Sequence, residues 1–312
     1  MAQPVIIRSG IEWLIADGET DTGTVGVGGS LDVGAGGSAV DFGVAGDESV
    51  LSGGGDDSAL ILNGGVQTIE SGGIASNTTI DSGGSEIVQS GAVANNALIS
   101  GGVQTIESGG FASNTTIDSG GTEIVQSGGV ASNTVISGGT LDIQYGGTLS
   151  GTLTFSSAGT LQIDGTTMPT ATIDGFVSPS QTIDLTGLSY AAGGSATLTG
   201  NNVLNVSEGG QNVSLQLDPT QNYAGHSFTL GSDGHGGTAI VDPVVGLNTW
   251  DVSTEGGANS GDSALNGVLQ AIDPGGGNYG TNVNYTIDLT ANIDLTQALF
   301  GINLGSHSTL TI

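Results

Sequence analysis

The chain has no cysteine and no lysine, and its single basic residue is Arg8. Without thiols there is no disulfide frame and no thiol chemistry, and thiol usage gives no reading of compartment. Thirty acidic residues against one arginine give a formal net charge of −29 at pH 7 over 312 residues. A surface of that sign repels phosphate backbones and anionic headgroups, which disfavours nucleic-acid and membrane-surface partners. Aromatics make up only 4% of the chain, and there are six prolines. No segment approaches the roughly 18 consecutive apolar residues that span a bilayer, so membrane insertion is not expected. The opening MAQPVIIRSGIEWLIADGE lacks a basic region followed by a clean apolar run, since Glu12 and Asp17 interrupt it. It does not read as a signal peptide, so either the signal lies outside these residues or export uses another route.

Glycine, by contrast, is abundant at 59 residues, with no Gly-X-Y period. That composition resembles a disordered linker, but 36% of the residues are hydrophobic and they recur at fixed spacing, which argues for order. The spacing comes from a repeat. Residues 64–100 read GGVQTIESGGIASNTTIDSGGSEIVQSGAVANNALIS, and residues 101–137 read GGVQTIESGGFASNTTIDSGGTEIVQSGGVASNTVIS. The two copies differ only at Ile74/Phe111, Ser85/Thr122, Ala92/Gly129, Asn95/Ser132, Ala97/Thr134 and Leu98/Val135. Each splits into half-units of 19 and 18 residues opened by Gly-Gly. Repeats this close mean stacked units, and a stack offers a surface rather than a catalytic pocket.

Within a half-unit, Val66 to Glu70 and Ala75 to Ile80 read as two short strands rich in Val, Ile and Thr, with glycine turns between them. One half-unit then makes one coil of a parallel β-solenoid, each coil about 4.8 Å from the next. Ile69, Val88, Ile106 and Val125 should stack as one aliphatic ladder, and Ile80, Ile99, Ile117 and Ile136 as another. Ala75, Ala94, Ala112 and Ala131 are expected where the coil narrows, and Asn77, Asn96, Asn114 and Asn133 should hydrogen-bond along the stack. Residues 1–63 read as an N-terminal cap with degenerate repeats, and 64–165 as the repeat solenoid. Residues 166–243 read as a β cap that seals an otherwise sticky edge. Residues 244–312 read as a linker, with a short helix over 263–272, followed by the opening of a further β-helical domain.

The unit GG-x-x-x-[IV]-x-SGG-x-A-[SN]-N-T-x-I, carried by Gly64 to Ile80 and Gly101 to Ile117, resembles the AIDA-type repeat. That family builds the passenger stem of bacterial self-associating autotransporters and related adhesins. The resemblance covers roughly residues 25–160. It implies a right-handed parallel β-helix on, or released from, a Gram-negative cell, acting in adhesion or autoaggregation. It further implies that serines and threonines of the repeats are acceptors for a heptosyltransferase, here Ser76, Thr78, Thr79, Ser113, Thr115 and Thr116. The stretch 173–240 is similar to a module that follows such repeats in large secreted proteins, and 250–312 looks like the start of a pectin-lyase-like β-helix. The chain shows no run of roughly ten-residue strands of the kind that forms an outer-membrane barrel.

β-Helices also host polysaccharide lyases and hydrolases. Those chemistries need a base or cation to hold an acidic polymer, and Arg8 alone, outside the repeats, cannot supply it. His226, His235 and His307 are scattered without triad or metal spacing. The clusters at 53–57 and 231–237 combine glycine with aspartate but do not form tandem GGxGxD, so calcium is only a minor alternative and no cofactor is expected. The expected function is therefore non-enzymatic: an extracellular or cell-surface adhesin-like passenger. Its partners would be copies on other cells, or host and surface glycans or proteins. Ser71, Ser76, Asn77 and Thr79, with copies such as Ser113, Asn114 and Thr116, would supply the adhesive face. The alternative is the stalk of a carbohydrate-binding or polysaccharide-processing exoprotein.

Overall fold

The computed structural model describes residues 4–223 and 226–242, together with the strands Thr249–Val252, Asn284–Leu289 and Thr309–Thr311. The chain forms two compact units that meet in sequence between residues 244 and 245. The first unit is a parallel β-solenoid of about ten turns. Its walls are three sheets. Sheet 1 has ten strands, from Val5–Ile7 to Thr172–Asp174, and sheet 3 has eight, from Thr20–Asp21 to Thr148–Ser150. Sheet 2 has ten parallel strands, from Glu12–Ile15 to Gln181–Leu185, and two antiparallel strands that finish it.

The eight turns that contribute to all three sheets have three strands each rather than the expected two. One turn runs Val66–Ile69 in sheet 2, Ile74–Ser76 in sheet 3 and Thr79–Asp81 in sheet 1. The run expected over 75–80 is broken at Asn77, whose φ is 58°, and Asn96, Asn114 and Asn133 repeat the break at φ 56°. Most L-residues resist this left-handed conformation by about 1–2 kcal/mol, whereas asparagine visits it readily. The other two corners use glycine. At Gly121 an added Cβ would lie 2.5 Å from the carbonyl oxygen of Ile99 in the preceding turn. Consecutive coils approach there too closely for any side chain.

The expected ladders are present. Ile69 pairs in register with Val88, Val88 with Ile106, and Ile106 with Val125. Ile80, Ile99, Ile117 and Ile136 follow one another in sheet 1, and Ala75, Ala94, Ala112 and Ala131 in sheet 3. All twelve are buried. Each isoleucine so removed from water contributes about 1.5–3 kcal/mol. The pairing extends through the irregular N-terminal region, where Glu12–Ile15, Ser30–Val33 and Asp47–Val50 lie in register below Val66–Ile69.

Beyond Gln181–Leu185 the pairing turns antiparallel. Ser195–Thr199, Val203–Glu208 and Gln211–Gln216 form a separate meander. Phe155, Phe176, Phe228 and Tyr223 pack ring to ring at 5.5–6.0 Å, closing the interior with aromatic surface. In the second unit the three described strands form a parallel sheet. The helix expected over 263–272 lies outside the described residues. Replacing Ile117 by Ala, in the middle of its ladder, is expected to cost about 2–5 kcal/mol in urea unfolding. Thr116→Ala, on the outer side of the same strand, should change stability by less than about 0.5 kcal/mol.

Candidate functional site

The residues expected on one hydroxyl-rich face divide three ways. Ser76 and Ser113 face outward from sheet 3, Thr79 and Thr116 face outward from sheet 1, and all four are half-buried. Asn77 and Asn114 stand exposed on the corner between those sheets. Thr78 and Thr115 do not belong to the face at all: each is 1% exposed and turned into the solenoid. The left-handed corner resets the alternation, so the first residue after each asparagine points inward.

The expected asparagine stack is hydrogen-bonded from rung to rung between Asp57 and Asn96. Asn96 Nδ2 donates to Asn77 Oδ1 at 3.3 Å, and Asn77 Nδ2 donates to Asp57 Oδ1 at 2.7 Å. Ser113 Oγ donates to Asn95 Oδ1 at 2.8 Å. On the adjoining wall, sheet 3 aligns Ile74, Val93, Phe111 and Val130 at one outward position and Ser76, Asn95, Ser113 and Ser132 at the other. Ile74 is 48% exposed and Phe111 37%. No outward residue of these four strands carries a charge, in a chain whose net charge is −29.

The interior holds a second constellation, one not anticipated from the sequence. Glu48, Gln67, Glu86, Gln104 and Glu123 are in-register neighbours on the inner side of sheet 2, each 1% exposed or less. Leu31 precedes them and Leu141 follows. Asp56 joins from sheet 3 at the position that alanine occupies in the next turns. Gln67 Nε2 donates to Glu48 Oε2 at 2.9 Å and to Asp56 Oδ2 at 2.8 Å. Thr78 Oγ1 donates to Gln67 Oε1 at 3.4 Å, and Thr115 Oγ1 to Gln104 Oε1 at 3.3 Å. Gln104 Nε2 donates to Glu86 Oε2, and Thr134 Oγ1 to Glu123 Oε2 at 3.1 Å. Burial pushes the Asp56 and Glu123 carboxyls up to about 7. Burial, with the Asp56 carboxylate beside it, drives Glu48 well above the usual range, and burial also raises Glu86. Parity was the available signal: Gln67 shares the face of Ile69, two residues on.

The glycine-aspartate clusters serve turns and strands. Asp233 Oδ1 accepts from the amides of His235 at 2.7 Å and Gly237 at 2.8 Å. Asp56 points inward, and Asp57 accepts from the corner asparagine. His226 Nδ1 lies 2.5 Å from buried Asp242 Oδ2, while His235 is exposed and His307 lies outside the described residues. Among the described residues no group of three or more His, Asp or Glu is placed to hold a metal ion, and no helix is long and apolar enough to cross a membrane.

The ladder-built prism with its patterned outer wall is a parallel β-solenoid. Consistent with that class, residues 91–139 match a family model described as "adhesin of bacterial autotransporter system, probable stalk". A comparison with curated proteins gives no match. Among solved structures, the chain is similar to the crystal structure of a TibC-catalyzed hyper-glycosylated TibA fragment. That alignment has 29% identity and a TM-score of 0.37, over 54% of this chain and 75% of that one. The resemblance to the AIDA-type repeat, read from its residues, thus recurs in the family match.

The corner can be tested directly. Asn114→Ala should lower stability by about 1–2 kcal/mol, because alanine resists the left-handed conformation. Asn114→Gly should preserve it, with urea midpoints as the readout.

Proposed function

We propose that the solenoid is the stem of a surface-exposed or released adhesin-like passenger of a Gram-negative bacterium, and that it works by contact along its length rather than by catalysis. The observation that carries this reading is the outer wall of sheet 3 over residues 74–132, where the outward residues are uncharged and Ile74 and Phe111 stand exposed. Two chains of charge −29 repel each other over most of their surfaces, so close approach is least costly where no carboxylate stands. There, aliphatic and aromatic pegs alternate with serine and asparagine at one rung per about 4.8 Å. Contacts that are individually weak gain avidity when the same peg recurs turn after turn. The family match over residues 91–139 supports the same reading.

Cells displaying this chain should settle faster than cells without it. Ile74→Asp with Phe111→Asp should abolish the difference, while Thr105→Asp on the outer side of sheet 2 should leave most of it. Unchanged settling of the sheet 3 variant would remove self-contact along this wall. Selective binding on a glycan array by a chain that does not promote settling would favour the carbohydrate-binding stalk instead.

Modification by a heptosyltransferase belongs to the same proposal, and burial sorts the acceptors. Ser76, Thr79, Ser113 and Thr116 reach solvent, whereas Thr78 and Thr115 do not. Mass-spectrometric mapping after treatment of the folded chain with such an enzyme should find sugar only on the first group. Sugar on Thr78 or Thr115 would mean that modification precedes folding.

A further inference from the structure

The acids inside the stack have no part in an outward adhesive wall, yet four of them lie within a few turns. Glu48, Asp56, Glu86 and Glu123 are each 3% exposed or less. Every one keeps an oxygen with no hydrogen-bond partner: Glu48 Oε1, Asp56 Oδ1, Glu86 Oε1 and Glu123 Oε1. The groups that face them carry no positive charge. Glu48 faces Gln67, Asp56 and Glu86, and Asp56 faces Gln67, Glu86 and its strand neighbour Asp57. Glu86 faces Gln104 and Thr78, and Glu123 faces Thr134, Thr115 and Glu86. The chain has no lysine, and Arg8, its only arginine, is exposed in the first turn.

An ionised carboxylate in such a place is a buried charge facing at most neutral donors. Protonation removes the charge and turns an orphaned acceptor into a donor. The glutamines space the acids along the ladder. With Gln67 between Glu48 and Glu86, and Gln104 between Glu86 and Glu123, ladder acids stand two rungs apart, about 9.6 Å, instead of one. An amide also suits either neighbour, since it both donates and accepts.

We propose that the interior of residues 48–134 is a proton-binding site: the stem takes up protons from solvent as it folds and holds them as carboxylic acids between its turns. Each event is the addition of one proton to one carboxylate oxygen, with nothing else exchanged. The consequence is a stem that tightens in acid. Unfolded, these groups titrate near 3.8–4.5; folded, Asp56 and Glu123 titrate near 7. Between those limits the folded chain binds more protons than the unfolded chain, so this stabilisation is complete below about 4 and is lost as pH rises through 7.

The direct test is proton uptake on refolding, followed with a pH indicator at about pH 6. The comparison is the full chain against one carrying Glu48→Gln, Asp56→Asn, Glu86→Gln and Glu123→Gln. The native chain should take up about two to four more protons than the variant, and its unfolding midpoint should fall more steeply from pH 4 to 7. Equal uptake and equal slopes would overturn the proposal. Should the variant not fold, infrared spectra of the native chain decide. The carbonyl band of buried carboxylic acid should be present at pH 6 and vanish on unfolding. Its absence from the folded chain, or stability that climbs with added sodium or calcium at fixed pH, would mean that the acids are ionised or cation-bound.

Discussion

Ile99 is buried only because Ile80 lies against one side of it and Ile117 against the other. No single turn of this chain encloses a core: 18 or 19 residues in three short strands make a ring one side chain deep. The apolar faces of that ring are sealed by its neighbours, and its strand hydrogen bonds run to the turns on either side, with intra-turn bonds at the glycine corners. Stability in such an array is a sum of interfaces between adjacent rungs, and a misplaced rung loses both kinds of contact at once. This constraint accounts for the glycine-rich corners, where a Cβ would push rungs apart. It also accounts for the aromatic closure at Phe155, Phe176 and Phe228, where the repeating contacts stop.

The same constraint explains how polar groups are tolerated inside. Glutamate and glutamine in the middle of a prism would be costly as isolated residues, but stacking presents each with a polar neighbour one rung away. Small residues on the opposite wall, at Ala75, Ala94 and Ala112, leave room for the longer side chains, and Asp56 and the inward threonines supply partners where those side chains end. Aliphatic rungs at Leu31 and Leu141 bound the polar run. The solenoid thus separates its groups by direction: buried carboxyls and amides joined by hydrogen bonds within, and carboxylates, hydroxyls and a few apolar pegs without.

Much of this could be read from the repeat itself. Two copies differing at six positions define the rung, and constant spacing then places Ile69 over Val88 and Ala75 over Ala94 before any coordinate is consulted. The third strand was hidden because 75–80 contains no glycine or proline to mark a corner. Arithmetic does mark it: Ala75 and Ile80 both point inward but are five residues apart, which an unbroken strand cannot arrange. The break must fall between them, and Asn77 is the residue there that accepts a left-handed backbone. That one missed corner also put Thr78 and Thr115 on the wrong side. The Glu/Gln ladder was missed for a different reason. Polar side chains at inward parity look like an error in a single strand, and become intelligible only when the neighbouring rungs supply their partners.

The account rests on turns stacked in register, and removing one whole repeat tests this most directly. Excising residues 64–100 joins Asn63 to Gly101, which restores the original Asn-Gly junction and sets Gln104 above Glu48 in the place of Gln67. The shortened chain should fold cooperatively with the same β-sheet spectrum, and small-angle scattering should find the stem shorter by about 9.6 Å, two rungs at the strand spacing. An excised chain that fails to fold, or that keeps its original length, would contradict stacking in register.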